Sequence, residues 1–78
     1  AGMDVDDILV KMENKYKHEQ VNTIDGVKID FDHGWVHLRK SNTEPIIRVY
    51  AESNSNENAE FLANQIIGDI KKIAKMES

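Results

Sequence analysis

The sequence contains no cysteine, so neither a disulfide nor a thiolate metal site can support its fold. No apolar run approaches the ~18 residues of a membrane span. No basic segment followed by an apolar one marks an export signal, and a cytoplasmic location is expected. An excess of positive charge is also missing. The formal charge is −4, which disfavours nucleic-acid binding, because that needs a clustered basic surface. No repeat, low-complexity tract or linker interrupts the chain. What is there is an ordinary soluble composition, 31% charged and 40% hydrophobic, in 78 residues. A chain this short buries roughly 60–65% of the surface its unfolded form exposes, enough for one modest core. Ala1-Gly2 ahead of Met3 reads as a remnant of recombinant expression, which leaves residues 4–76 as a single domain. Such a domain rarely encloses a whole active site. It is expected to be a binding module, or one wall of a site whose other walls lie elsewhere.

Residues 4 to about 17 carry Val5, Ile8, Leu9, Met12 and Tyr16 at spacings of three and four, which predicts an amphipathic helix. Asp4 is its expected N-cap, with Asp6 and Asp7 at the positive end of the helix dipole. The period then changes to two. Val27, Ile29 and Phe31 alternate with Lys28, Asp30 and Asp32. Val36 and Leu38 alternate with Trp35, His37 and Arg39, and Ile47, Val49 and Ala51 with Arg48, Tyr50 and Glu52. Residues 19–24 offer a weaker fourth strand ending at a turn, Asp25-Gly26. A second helix is predicted from about Asn56 to Lys75, with Ser55 as N-cap and Ala59, Leu62, Ile66, Ile70 and Ile73 on its apolar stripe. Gly68 is a mild flaw within it.

The strand pattern also predicts register. A hairpin loop at His33-Gly34, with Gly34 taking a positive φ, sets Phe31 opposite Val36 and His37 opposite Asp30. For the next hairpin, setting Arg39 opposite Arg48 aligns Leu38 with Val49 and Val36 with Ala51, which leaves a loop of six residues, Ser41 to Ile46. Both helices are expected on the dry face of the sheet. The wet face, with Trp35, His37, Arg39, Arg48 and Tyr50, then lacks cover from within the chain and suggests a partner surface.

The loop between the two arginines is the part that suggests chemistry. Ser41, Asn42 and Thr43 stand on consecutive residues, Pro45 stiffens the turn, and Arg39 and Arg48 flank it. A phosphate dianion is bound by guanidinium forks, hydroxyls and backbone N–H groups that converge on it. The same string also suits any tight turn, so the residues alone leave both readings open. Nothing forms a nucleophile–base pair, because no histidine is placed to activate Ser41. His33 and His37 straddle a hairpin with no third ligand and read as solvated or cross-strand residues.

The segment Arg39-Lys40-Ser41-Asn42-Thr43-Glu44-Pro45, continued by Ile46-Ile47-Arg48-Val49-Tyr50-Ala51-Glu52, resembles the phosphate-binding loop of the α-D-phosphohexomutases. Thr23 to Phe31 and Gly34-Trp35-Val36 are similar to the strands that precede that loop in the family. The resemblance implies the fourth, C-terminal domain of an enzyme that interconverts hexose 1- and 6-phosphates through a bisphosphate. It implies an α+β fold in which about four antiparallel strands carry two helices on one face, as in the TATA-box-binding protein. Arg39, Ser41, Asn42 and Thr43 match the family's phosphate-contacting positions, and Arg48 supports them. The phosphoserine and the magnesium ion that carry out phosphoryl transfer are expected in the first and second domains, and sugar recognition in the third. This fragment is expected to hold no cofactor and to be inactive alone, while its parent takes Mg2+ and a hexose 1,6-bisphosphate activator. The expected partners are a phosphosugar and the other three domains, with no nucleic acid and no membrane. The Ser-Asn-Thr form is more typical of phosphomannomutase/phosphoglucomutase enzymes; phosphoglucosamine mutases more often carry glycine where Asn42 stands. A free-standing module using its open sheet face for protein or RNA is the alternative. The aromatics Trp35 and Tyr50 suit RNA, while Asp30, Asp32 and Glu52 oppose it.

Overall fold

The Asp4 carboxylate accepts a hydrogen bond from the Asp7 N–H at 3.1 Å, and this cap starts helix α1, Val5–Lys15. The structure, a computed structural model, describes residues 4–41, 43–44 and 46–77; Asn42 and Pro45 lie outside the described residues. Val5, Ile8 and Met12 form the buried stripe of α1, and Tyr16, its C-cap, continues the stripe. Helix α2, Asn56–Glu77, begins in the same manner, with Ser55 Oγ accepting from the Asn58 N–H at 3.1 Å. Its buried stripe is Ile66, Ile70 and Ile73.

Between the helices lie β1 (Gln20–Asn22), β2 (Val27–Phe31), β3 (Gly34–Lys40) and β4 (Ile47–Ser53), paired antiparallel in the order β1-β2-β3-β4. Val27, Ile29, Val36 and Leu38 point to one face and are buried with Ile8, Met12 and Ile66 in a single cluster. Both helices therefore cover the same side of the sheet, as period two in the strands and one stripe per helix require. Each fully buried aliphatic side chain contributes about 1.5–3 kcal/mol, so this face dominates the stability.

The β3–β4 ladder has the predicted register, with Arg39 opposite Arg48, Leu38 opposite Val49 and Val36 opposite Ala51. The β2–β3 ladder does not. Phe31 pairs with Gly34, Ile29 with Val36 and Val27 with Leu38, so the hairpin loop is Asp32-His33. A slip of two residues keeps the dry face dry, which is why the alternation alone did not exclude it. His37 consequently faces Lys28, and Asp30 faces Trp35. Gly34 is a strand residue, needed for close approach: a Cβ there would sit 2.3 Å from the Glu52 carbonyl oxygen. Among the described residues the one positive φ belongs to Gly26, at 75°.

The opposite face of the sheet is open. Arg39, Arg48, Tyr50 and Glu52 are exposed there, and Asp30, Trp35 and His37 are half-buried.

Candidate functional site

The candidate site forms where β3 ends and β4 begins. The Ser41 N–H donates to the Ile46 carbonyl at 3.1 Å, and the Ile46 N–H to the Glu44 carbonyl at 2.8 Å, which closes the loop on itself. Ser41 is only 7% exposed, and its Oγ accepts from the Thr43 N–H at 3.4 Å. That hydroxyl organises the loop and still has a proton to donate. The N–H groups of Ser41, Thr43 and Ile46 are thus engaged within the loop. Among these three residues no backbone donor is free for an anion, so the side chains around the loop matter.

Those side chains converge. A cleft of about 340 Å³ is lined by Arg39, Lys40, Ser41, Thr43, Arg48 and Tyr50. Four of the five residues expected from the sequence, Arg39, Ser41, Thr43 and Arg48, meet there; the fifth, Asn42, lies outside the described residues. Tyr50 joins because it follows Arg48 by two on the same strand face, a signal that period two already contained.

The charge arrangement is unusual for a sheet surface. Arg39 and Arg48 are direct cross-strand partners, and like charges so placed repel. Arg39 Nη2 lies 3.4 Å from Asp25 Oδ2, and Lys40 Nζ lies 3.1 Å from Asp6 Oδ1. Arg48 has no ion pair among the described residues. Asp25 was expected only as a turn residue. Its contact with Arg39 arises because the β1–β2 turn folds over the end of β3.

Elsewhere on the open face, Lys28 Nζ sits 5.1 Å from the centroid of the Trp35 ring, so that ring is already covered by a cation. The His37 Nε2–H donates to the Asp25 carbonyl. A separate polar cluster joins the helices. The Tyr16 hydroxyl donates to Asp69 Oδ2, Lys15 Nζ lies 2.8 Å from Asp69 Oδ1, and Gln65 Nε2 donates to the Tyr16 oxygen at 3.2 Å. Burial pushes the Tyr16 phenol above its ordinary value, and its bond to Asp69 adds to that. Burial also pushes Asp69 upward, but the bonds from Lys15 and Tyr16 outweigh it and hold the carboxyl below its ordinary value. None of these residues lines the cleft. Among the described residues, no group of three or more His, Cys, Asp or Glu could hold a metal ion, and no helix is long and apolar enough to cross a membrane.

Most of the chain matches a family of known proteins. The family described as phosphoglucomutase/phosphomannomutase, C-terminal domain, matches residues 3–68. A phosphoglucosamine/phosphogalactosamine mutase of Sulfurisphaera tokodaii is 41% identical over 76 residues, 95% of this chain and 16% of that protein. A probable phosphoglucosamine mutase of Methanopyrus kandleri is 34% identical over 64 residues, 82% of this chain and 14% of that protein. A phosphoglucomutase/phosphomannomutase of Thermococcus kodakarensis is 54% identical over 43 residues, 55% of this chain and 9% of that protein. The chain therefore spans only a small part of the length of these relatives, and their names include both phosphoglucosamine mutases and phosphoglucomutase/phosphomannomutases. A match over residues 3–68, including every described residue of the loop, settles the family: the chain is a C-terminal domain of the phosphoglucomutase/phosphomannomutase family.

Proposed function

We propose that this domain grips the phosphate group of a phosphosugar at the end remote from the reacting one, in a mutase whose chemistry is carried by other domains. The observation that carries this reading is the direct pairing of Arg39 with Arg48 at the mouth of a cleft that also holds Ser41 and Thr43. Two arginines set opposite each other on paired strands, at a cost in repulsion, make sense if an anion sits between them. Their planar forks suit phosphate oxygens, and the hydroxyls of Ser41 and Thr43 add donors. Asn42, in the same loop, is proposed as a further contact.

In this proposal the domain supplies no catalytic residue. The parent's phosphoserine and Mg2+ belong to other domains, Mg2+ neutralising charge on the transferring phosphoryl group. A phosphosugar that must present each end in turn is best held by a clamp that reads phosphate and little else. Binding energy at the remote phosphate then positions the reacting hydroxyl. Whether the sugar is glucose, mannose or glucosamine is assigned to a domain beyond this chain. The open sheet face is read as a surface for the rest of the parent. RNA is disfavoured because Lys28 covers the Trp35 ring and because Asp30 and Glu52 share the face.

Titration of the chain with inorganic phosphate or glucose 1,6-bisphosphate, followed by backbone-amide NMR, tests the reading. Shifts confined to residues 39–48, with a dissociation constant of about a millimolar, are expected for a few exposed charge-assisted bonds. A response spread over the sheet face with an RNA ligand, and none in the loop with phosphate, would overturn it.

A further inference from the structure

Arg39 stands on a ridge between two clefts. One is the loop cleft; the other, of about 490 Å³, lies between α1 and the β1–β2 turn and has Asp6, Glu13 and Asp25 in its wall. Arg39 lines both, and its Nη2 is turned toward the second, 3.4 Å from Asp25 Oδ2.

The position of Asp25 is built into the fold. Gly26, beside it, has a φ of 75° and lies so close to β3 that a Cβ would meet the Leu38 carbonyl oxygen at 2.2 Å. Asn22 Oδ1 accepts from the Ile24 N–H at 2.9 Å within the same turn. The His37 Nε2–H, from β3 itself, donates to the Asp25 carbonyl. The His37 bond and the close seating of Gly26 hold the turn against the strand that carries Arg39, and the Asn22 bond ties the turn to itself, while the Asp25 side chain remains 69% exposed. A backbone fixed this firmly beneath an exposed carboxylate keeps a negative charge beside one jaw of the cleft.

We propose that Asp25 is the resident counter-ion of Arg39, a positioning residue that competes with phosphate for the guanidinium and so weakens the grip. This inference rests on the reading of the loop as a phosphate site. An exposed ion pair is weak, so a dianion that also engages Arg48 displaces it. The carboxylate nevertheless charges every binding event for the lost pair and repels the incoming oxygens. The result is a clamp that closes on phosphate yet releases it readily, as a grip that is made and broken in each cycle requires.

The test is a titration of inorganic phosphate into the chain and its D25N, D25A and D25E variants at one low ionic strength. The Ser41 and Thr43 amides and the Arg39 Nε–H report binding by NMR, and amide dispersion reports folding. D25N and D25A should bind about three- to tenfold more tightly than the parent chain, with D25E within about twofold of it. A merely structural role for Asp25 would weaken binding on substitution, so the direction of change separates the two. Equal or weaker phosphate binding by D25N and D25A, with the loop of the parent chain responding, overturns the counter-ion role and leaves the phosphate site standing. No loop response in the parent chain overturns both.

Discussion

Arg39 and Arg48 lie directly opposite each other across the β3–β4 ladder, yet only Arg39 has an acidic partner among the described residues, Asp25 at 3.4 Å. This asymmetry makes Arg48 the more costly charge in the fold and the more available one for an anion.

Replacing Arg48 by Gln should therefore separate stability from binding. Relief of the cross-strand repulsion is expected to raise the unfolding free energy by about 0.2–1 kcal/mol, while phosphate affinity falls. Chemical denaturation and a phosphate titration on the same variant check this. A variant that is less stable and binds phosphate unchanged would contradict the paired-jaw arrangement.

In a full-length mutase carrying this domain, Arg39→Ala should lower kcat/KM by about 10²–10³, the loss of a charge-assisted fork at the remote phosphate. Steady-state kinetics with hexose 1-phosphate is the measurement, and an unchanged kcat/KM would remove Arg39 from the site. The chain by itself should convert no hexose phosphate in a coupled assay; measurable turnover would refute the proposed division of labour.

The Tyr16–Asp69 link predicts the pH dependence of stability. Asp69 is held below its ordinary value in the folded chain, so its contribution is full above the unfolded carboxyl pKa and is lost as pH falls through the folded one. Tyr16 is raised; its contribution is full below the unfolded phenol pKa and is lost as pH rises through the folded value. Stability should decline in acid from about pH 4 and in base from about pH 10, the ordinary pKa values of the two groups. Asp69→Asn should flatten the acid limb, and Tyr16→Phe the alkaline one. Urea denaturation as a function of pH reads both, and an acid limb unaltered in Asp69→Asn would show that this carboxylate is not its source.

Two glycines should respond in opposite directions. Gly26→Ala forces an L side chain to a φ of 75° and a Cβ to 2.2 Å from the Leu38 carbonyl, so a loss of at least about 2 kcal/mol is expected. At Gly68 a Cβ meets nothing within 4 Å, and Gly68→Ala should stabilise α2 by about 0.5–1 kcal/mol. Thermal melts of the two variants would refute this account if they shifted the same way.

Periodicity and local capping were enough to give the sequence its helices, its strands and its dry face. Side chains at spacings of three and four, or two, must share a side, and Asp4 and Ser55 cap through atoms three residues away. Register in the β3–β4 ladder followed from the same rule, and with it the opposition of Arg39 and Arg48. The tertiary structure decided what local pattern leaves free. It chose a β2–β3 register two residues from the expected one, because both registers bury the same face and period two cannot separate them. It turned the Ser41 hydroxyl inward to organise the loop. It also brought Asp25 to Arg39, residues fourteen apart in sequence, through a turn packed on the strand, a proximity that no spacing encodes.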